Sequence, residues 1–162
     1  MEEEFCRPAT IADLLNLIAS LNEKGAQYIL IGGYALYAHG IHRATEDIDI
    51  LVPAKREAAL PIIEALMMLP DKTAKELEPE WFDEGENIRL ADEFVVDLVL
   101  STCQQTYDTL KKYTEIIEVG GIPIMTLTIE GLLLTKQSMR DKDVMDRKSL
   151  EIILNRLNVL KR

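Results

Sequence analysis

A mixed α/β sheet with flanking helices, of the α+β class, is the fold this sequence predicts, and three observations predict it. Helix and strand patterns alternate through the first hundred residues. Two hairpin patterns appear, at 87–100 and at 114–127, the second with Gly120-Gly121 in its turn. From Thr128 onward the pattern is helical. A chain of 162 residues can bury one substantial core. Residues 1–162 therefore read as a single domain, with 128–162 as a C-terminal helical extension packed on it.

The elements follow in order. Residues 8–24 place Ile11, Leu14, Leu15, Ile18 and Leu21 on one helical face, with Thr10 positioned to cap the start. "QYILI" is a short buried strand ended by Gly32-Gly33, and "YALYAHG" a short helix stopped by Gly40. "DIDILV" is a second strand, ended by Pro53. Residues 54–69 form a helix in which Pro61 either makes a kink or marks a new start. The acidic stretch 71–86 shows no period and reads as a loop carrying Trp81 and Phe82, with packing onto the core as the role of that pair. "NIRL" and "EFVVDLVL" pair as a hairpin, and a helix covers 103–113. After the second hairpin, helix runs from 128 to 160 with a break near 140–143.

Composition narrows the functions. Eighteen basic against 28 acidic residues give a formal charge of −10, which argues against a broad nucleic-acid surface and suits a cationic substrate or a basic partner. The apolar runs are too short to span a bilayer, and the acidic start "MEEEFCRP" lacks the apolar core of a secretory signal. Cys6 and Cys103 offer neither metal spacing nor a disulfide framework, and a reducing cytoplasm is the expected location. His39 and His42 flank Gly40 without metal-ligand spacing and read as loop residues.

The chemistry concentrates in "DIDILV". Asp47 and Asp49 are two apart on a strand and share a face, while Ile48, Ile50 and Val52 take the other. Adjacent carboxylates repel, so an isolated Asp-x-Asp usually sits at a wet strand end. Here a third acid, Asp97, interrupts "FVVDLVL" on the face of Val95 and Val99. Three acids on one sheet face make sense if they share divalent metal ions, because Mg²⁺ takes hard oxygen ligands and substrate phosphates. Gly32-Gly33 opens a helix after a strand, which fits either backbone N–H contact with phosphate or a tight turn. Arg43 and Thr45 could each reach a phosphate oxygen, or Arg43 could pair with Glu46 or Asp47. Lys136 and Arg140 share a predicted helix face, with Asp143 and Asp146 following; the alternative is a salt-bridged surface helix. Lys142 and Arg147 read as surface residues.

Together, "GGYALYAHGIHRATEDIDILV" and the later Asp97 resemble the signature of the nucleotidyltransferase superfamily, whose fold is that of DNA polymerase β. The "R-x-T-x-DID" variant and "EGLLLTKQSMRDKDVMD" resemble the single-domain bacterial group that includes AbiEii-type toxins. The resemblance implies a nucleotidyltransferase fold with C-terminal helices. It implies that Asp47, Asp49 and Asp97 are catalytic and hold Mg²⁺, two ions with Mn²⁺ as a substitute, and that an NTP is the substrate. Gly32 and Gly33 would meet the triphosphate, with Arg43, Thr45, Lys136, Arg140 and Asp143 as further nucleotide-binding residues. The acceptor would be a hydroxyl on RNA or protein, and a cognate antitoxin-like protein would be a partner. The alternatives are an enzyme modifying a small antibiotic of the aminoglycoside or lincosamide type, and a non-catalytic nucleotide- or partner-binding module.

Overall fold

The structure is a computed structural model in which residues 6–160 are described. Residues 1–5, which open the acidic N-terminal run, lie outside the described residues, as do 161–162. The sheet has six strands: β1 (Ile29–Ile31), β2 (Ile48–Leu51), β3 (Ile88–Ala91), β4 (Val95–Val99), β5 (Thr114–Val119) and β6 (Ile122–Leu127). Their order across the sheet is β3-β4-β2-β1-β6-β5. β1 runs antiparallel to β2 but parallel to β6, and β2 runs parallel to β4, so the sheet is mixed. Both expected hairpins are present as the antiparallel pairs β3–β4 and β5–β6. Gly120 and Gly121 turn the second with φ of 56° and 80°, the left-handed region that glycine enters without steric cost.

Seven α-helices flank the sheet among the described residues: α1 (Ile11–Glu23), α2 (Gly32–Ala38), α3 (Ala59–Leu66), α4 (Glu80–Asp83), α5 (Tyr107–Leu110), α6 (Ile129–Leu134) and α7 (Asp141–Leu160). Thr10 caps α1 as expected, its hydroxyl accepting from the Asp13 amide while the Asp13 carboxylate accepts from the Thr10 amide. The buried stripe of α1 is Leu14, Leu17, Ile18 and Leu21, each worth about 1.5–3 kcal/mol of burial. Ile11, expected on that stripe, is exposed and Leu15 only half-buried, while Leu17 takes a place in the stripe.

Elsewhere the boundaries move. α3 begins only at Ala59, after a 3₁₀ turn at Arg56–Ala58, so Pro61 sits in the first helical turn, where a missing N–H costs nothing. The stretch read as loop contains a 3₁₀ turn at Thr73–Glu76 and the short α4, whose Phe82 is fully buried while Trp81 stays 36% exposed. The helix expected over 103–113 forms only from Tyr107, since Cys103 and Gln104 adopt positive φ. The C-terminal break falls at 135–140, six residues between α6 and α7. Lys136 and Arg140 consequently do not share a helix face.

Candidate active site

The alternation of β2 buries Ile48 and Ile50 and turns Asp49 to the other face. β4 does the same, burying Val96 and Leu98 and leaving Asp97 half-buried. Because β2 and β4 pair in parallel with Asp49 opposite Asp97, the two carboxylates become cross-strand neighbours. Asp47 precedes β2 by one residue and completes the row on the same face. β3 adds a residue the sequence reading passed over. Arg89 stands directly opposite Asp97, with one guanidinium nitrogen 3.0 Å from Asp47 Oδ2 and the other 3.3 Å from Asp97 Oδ2. "NIRL" alternates, and Arg89 is its one charged residue; that was the available signal.

The electrostatics of the row are unfavourable without a further cation. Burial, the neighbouring Asp97 carboxylate with which Asp49 shares a hydrogen bond, and Asp47 together push the Asp49 carboxyl up to about 7. Lys136 acts in the opposite direction. Among the described residues no three His, Cys, Asp or Glu side chains already stand as a ligand cage. The donor set nevertheless fits a hard divalent cation: three carboxylates on one face, one pushed toward its protonated form by burial and its like-charged neighbours, and a guanidinium spanning the other two.

The glycine pair has a steric role. Gly32 follows β1 as the first residue of α2 with φ of 73°, and a Cβ there would stand 2.2 Å from Asp49 Oδ2. A Cβ on Gly33 would stand 2.2 Å from Thr45 Oγ1. The first turn of α2 is thus pressed against the acid row and the loop leading to it, with no room for a methyl group.

Three cavities meet at the acids. The first, about 330 Å³, is bounded by Gly32, Asp49, Arg89, Asp97, Lys136 and Arg140, with Asn87 and Thr102 at its wall. The second, about 250 Å³, lies between Gly33, Arg43, Thr45, Asp47, Asp49 and Lys142. The third, about 310 Å³, reaches Arg7, Glu46, Asp47 and Arg89. The structure thus gathers nine of the ten residues singled out in the sequence around the first two cavities. The exception is Asp143. It is 2% exposed and turned to Ser138, whose hydroxyl donates to it, and to Arg140. Burial opposes the ionised form, but the Ser138 hydroxyl and the nearby Arg140 and Lys136 charges leave its carboxyl below the usual range.

A second ionic cluster frames the row from α7. Asp146, only 5% exposed at its side chain, lies 3.2 Å from Lys136 Nζ and accepts a 3.1 Å hydrogen bond from Arg43. Arg43 Nε lies equally near Oδ1, within ion-pair distance though not aligned as a hydrogen bond. Arg43 therefore pairs with neither Glu46 nor Asp47. Arg147, read as a surface residue, is half-buried and donates to the Lys136 and Ser138 carbonyls, fixing the six-residue break; Lys142 is exposed as expected. His39 closes α2 with its Nε2 2.8 Å from the Leu127 carbonyl, and His42 stacks on Tyr37 at 4.7 Å.

A family model, "Nucleotidyl transferase AbiEii toxin, Type IV TA system", matches residues 13–136, which include the glycine pair, all three acids, Arg89 and Lys136. The chain belongs to the AbiEii nucleotidyl transferase toxin family. This AbiEii-family chain also resembles a solved structure from Thermotoga maritima described as a "putative nucleotidyltransferase (TM1012)". The TM-score is 0.56 at 18% identity, covering 90% of this chain and 92% of that one. That likeness is one of fold. No curated protein matches the chain. The protein is thus a nucleotidyltransferase of the AbiEii family with the expected fold, and α7 lies beyond the part that the family model matches. Among the described residues no helix is long and apolar enough to cross a membrane.

Proposed function

We propose that this AbiEii-family chain transfers a nucleoside monophosphate from an NTP to a hydroxyl acceptor, using divalent ions held by Asp47, Asp49 and Asp97. The observation that carries the reading is the cross-strand pairing of Asp49 with Asp97 beside Asp47; burial and these neighbouring carboxylates push the Asp49 carboxyl up to about 7, so the row favours an added positive charge. Mg²⁺ would supply that charge and would neutralise the phosphates, with Mn²⁺ as a substitute. The acceptor oxygen attacks the α-phosphorus, the bond from that phosphorus to the bridging oxygen breaks, and pyrophosphate leaves with the electron pair. The hydroxyl proton passes to a carboxylate of the row, for which Asp97 is the candidate. Lys136 and Arg140, at the wall of the first cavity, suit the triphosphate, and its 330 Å³ falls within the roughly 300–1,000 Å³ of small-molecule sites. Arg43 and Thr45, in the second cavity, stand where either the nucleotide or the acceptor would reach the acids. Asp143 serves by ordering Ser138 and Arg140.

Membership in a toxin family of a type IV system favours an RNA or protein acceptor and a cognate antitoxin. The charge of −10 favours a second reading, in which a small cationic molecule such as an aminoglycoside is the acceptor. Incubation with each labelled NTP, Mg²⁺ and fractionated cell extract separates the two. Label entering RNA or protein is the expected result, and label entering only an added cationic antibiotic selects the second. Pyrophosphate release equal in the wild type and in the Asp47→Ala/Asp49→Ala double variant would overturn both.

A further inference from the structure

Arg89 is the cation in the first cavity whose hydrogen bonds run to the acid row itself. Lys136 is tied to the buried Asp146, and Arg140 to Asp143. Arg89 instead bridges Asp47 at 3.0 Å and Asp97 at 3.3–3.4 Å. The contacts to Asp97 exceed the 2.7–2.9 Å or so of a strong charged pair, so the clamp is looser on that side. β3 is an edge strand, and the side chain of Arg89 is 46% exposed, which leaves it room to turn. A divalent ion on the row would compete with the guanidinium for the same oxygens and repel it. Displaced, Arg89 would still face a cavity walled by Lys136 and Arg140. The anion that suits three converging cations is a polyphosphate, and the planar guanidinium fork matches two phosphate oxygens at once.

We propose that Arg89 is a phosphate-binding residue of the nucleotide site, held across Asp47 and Asp97 until a divalent ion takes their oxygens. This rests on the nucleotidyltransferase reading above. It gives one residue two opposed thermodynamic effects. Arg89 weakens binding of the metal alone, by competition, and strengthens binding of the metal-loaded polyphosphate, by contact.

The test is calorimetric titration of the wild type and Arg89→Gln with two probes, Mn²⁺ alone and inorganic triphosphate in excess Mg²⁺. Arg89→Gln is expected to bind Mn²⁺ several-fold tighter and magnesium triphosphate about 10–100-fold weaker, the range for a lost hydrogen bond to a charged group. Arg89→Lys, which keeps the charge and loses the fork, is expected to fall between for triphosphate and to stay near the wild type for Mn²⁺. If Arg89→Gln does not fold, the same comparison is made with Arg89→Met, which likewise removes the charge and the fork. Weaker binding of both probes would make Arg89 a structural clamp and overturn the proposal, as would tighter Mn²⁺ with unchanged triphosphate. A wild type that binds neither probe overturns the nucleotidyltransferase reading and this proposal with it. One that binds both, with no opposed response in the variants, overturns this proposal alone.

Discussion

Adding one methyl group at Gly32 tests the link between backbone and acid row. In Gly32→Ala the new Cβ meets Asp49 Oδ2 at 2.2 Å, a distance real contacts do not reach, and Asp49 Cγ at a tight 3.0 Å. Either the carboxylate moves or the turn from β1 into α2 opens. The φ of 73° adds a backbone cost of about 1–2 kcal/mol. Gly25 supplies the control. Its φ is 68°, so Gly25→Ala carries the same backbone cost, but nothing lies within 4 Å of its added Cβ. Both variants should therefore lose about 2–8 °C in melting temperature from the backbone alone. Gly32→Ala should lose more, and it alone should bind Mn²⁺ at least about tenfold more weakly, the equivalent of 1.4 kcal/mol. Thermal melts and Mn²⁺ calorimetry on the pair give the readout. If Gly32→Ala binds Mn²⁺ as the wild type does, Asp49 is not held against the turn as described, and the steric account of the glycine pair fails.

Two further perturbations follow from the charges. Asp49 titrates at about 7 in the folded chain against 3.8 in the unfolded one, so the folded state holds the extra proton between those values. Stability without metal should fall as pH rises from about 4 to about 7 and stay reduced above. Asp49→Asn should accordingly melt higher than the wild type at pH 8 in chelator, with the gap closing toward pH 4; an equal or lower melting temperature at pH 8 would contradict it. Asp146→Ala leaves the Arg43 and Lys136 charges without their shared carboxylate and should cost about 3–5 kcal/mol in urea unfolding, the penalty for breaking a buried pair. A loss under about 1 kcal/mol, the value of a surface pair, would show the cluster to be solvated.

The acid row was legible in the sequence because strand alternation is strict. Once Ile48 and Ile50 are assigned to the core, Asp47 and Asp49 have no other face, and the same logic placed Asp97. The Gly-Gly turn and both hairpins were legible from residue types with a fixed conformational meaning. Arg89 was not, because a charged residue on a short alternating strand looks the same whether it faces water or a neighbouring strand's carboxylate. The Arg43–Asp146 pair spans 103 residues and leaves no local trace. Lys136 and Arg140 were misplaced because helical spacing was read across a stretch that Arg147 holds out of the helix by bonding two of its carbonyls. Asp146 followed Asp143 on the correct helix, but its burial depends on Lys136, whose position that misreading hid.

The pairing of β2 with β4 also bears on what a lineage of such proteins can lose. The register that sets Asp49 against Asp97 is the one that buries Ile48, Ile50, Val96 and Leu98. A slip of either strand by one residue would turn its two buried side chains, Ile48 and Ile50 or Val96 and Leu98, out of the core at a cost of about 3–6 kcal/mol. Oil, and not charge, aligns the acids. A descendant that exchanged all three for neutral residues would keep its strands in step and shed the strain at Asp49. Catalytic silence would then coexist with an intact and sturdier scaffold, and the shape of the sheet would give no hint of the change.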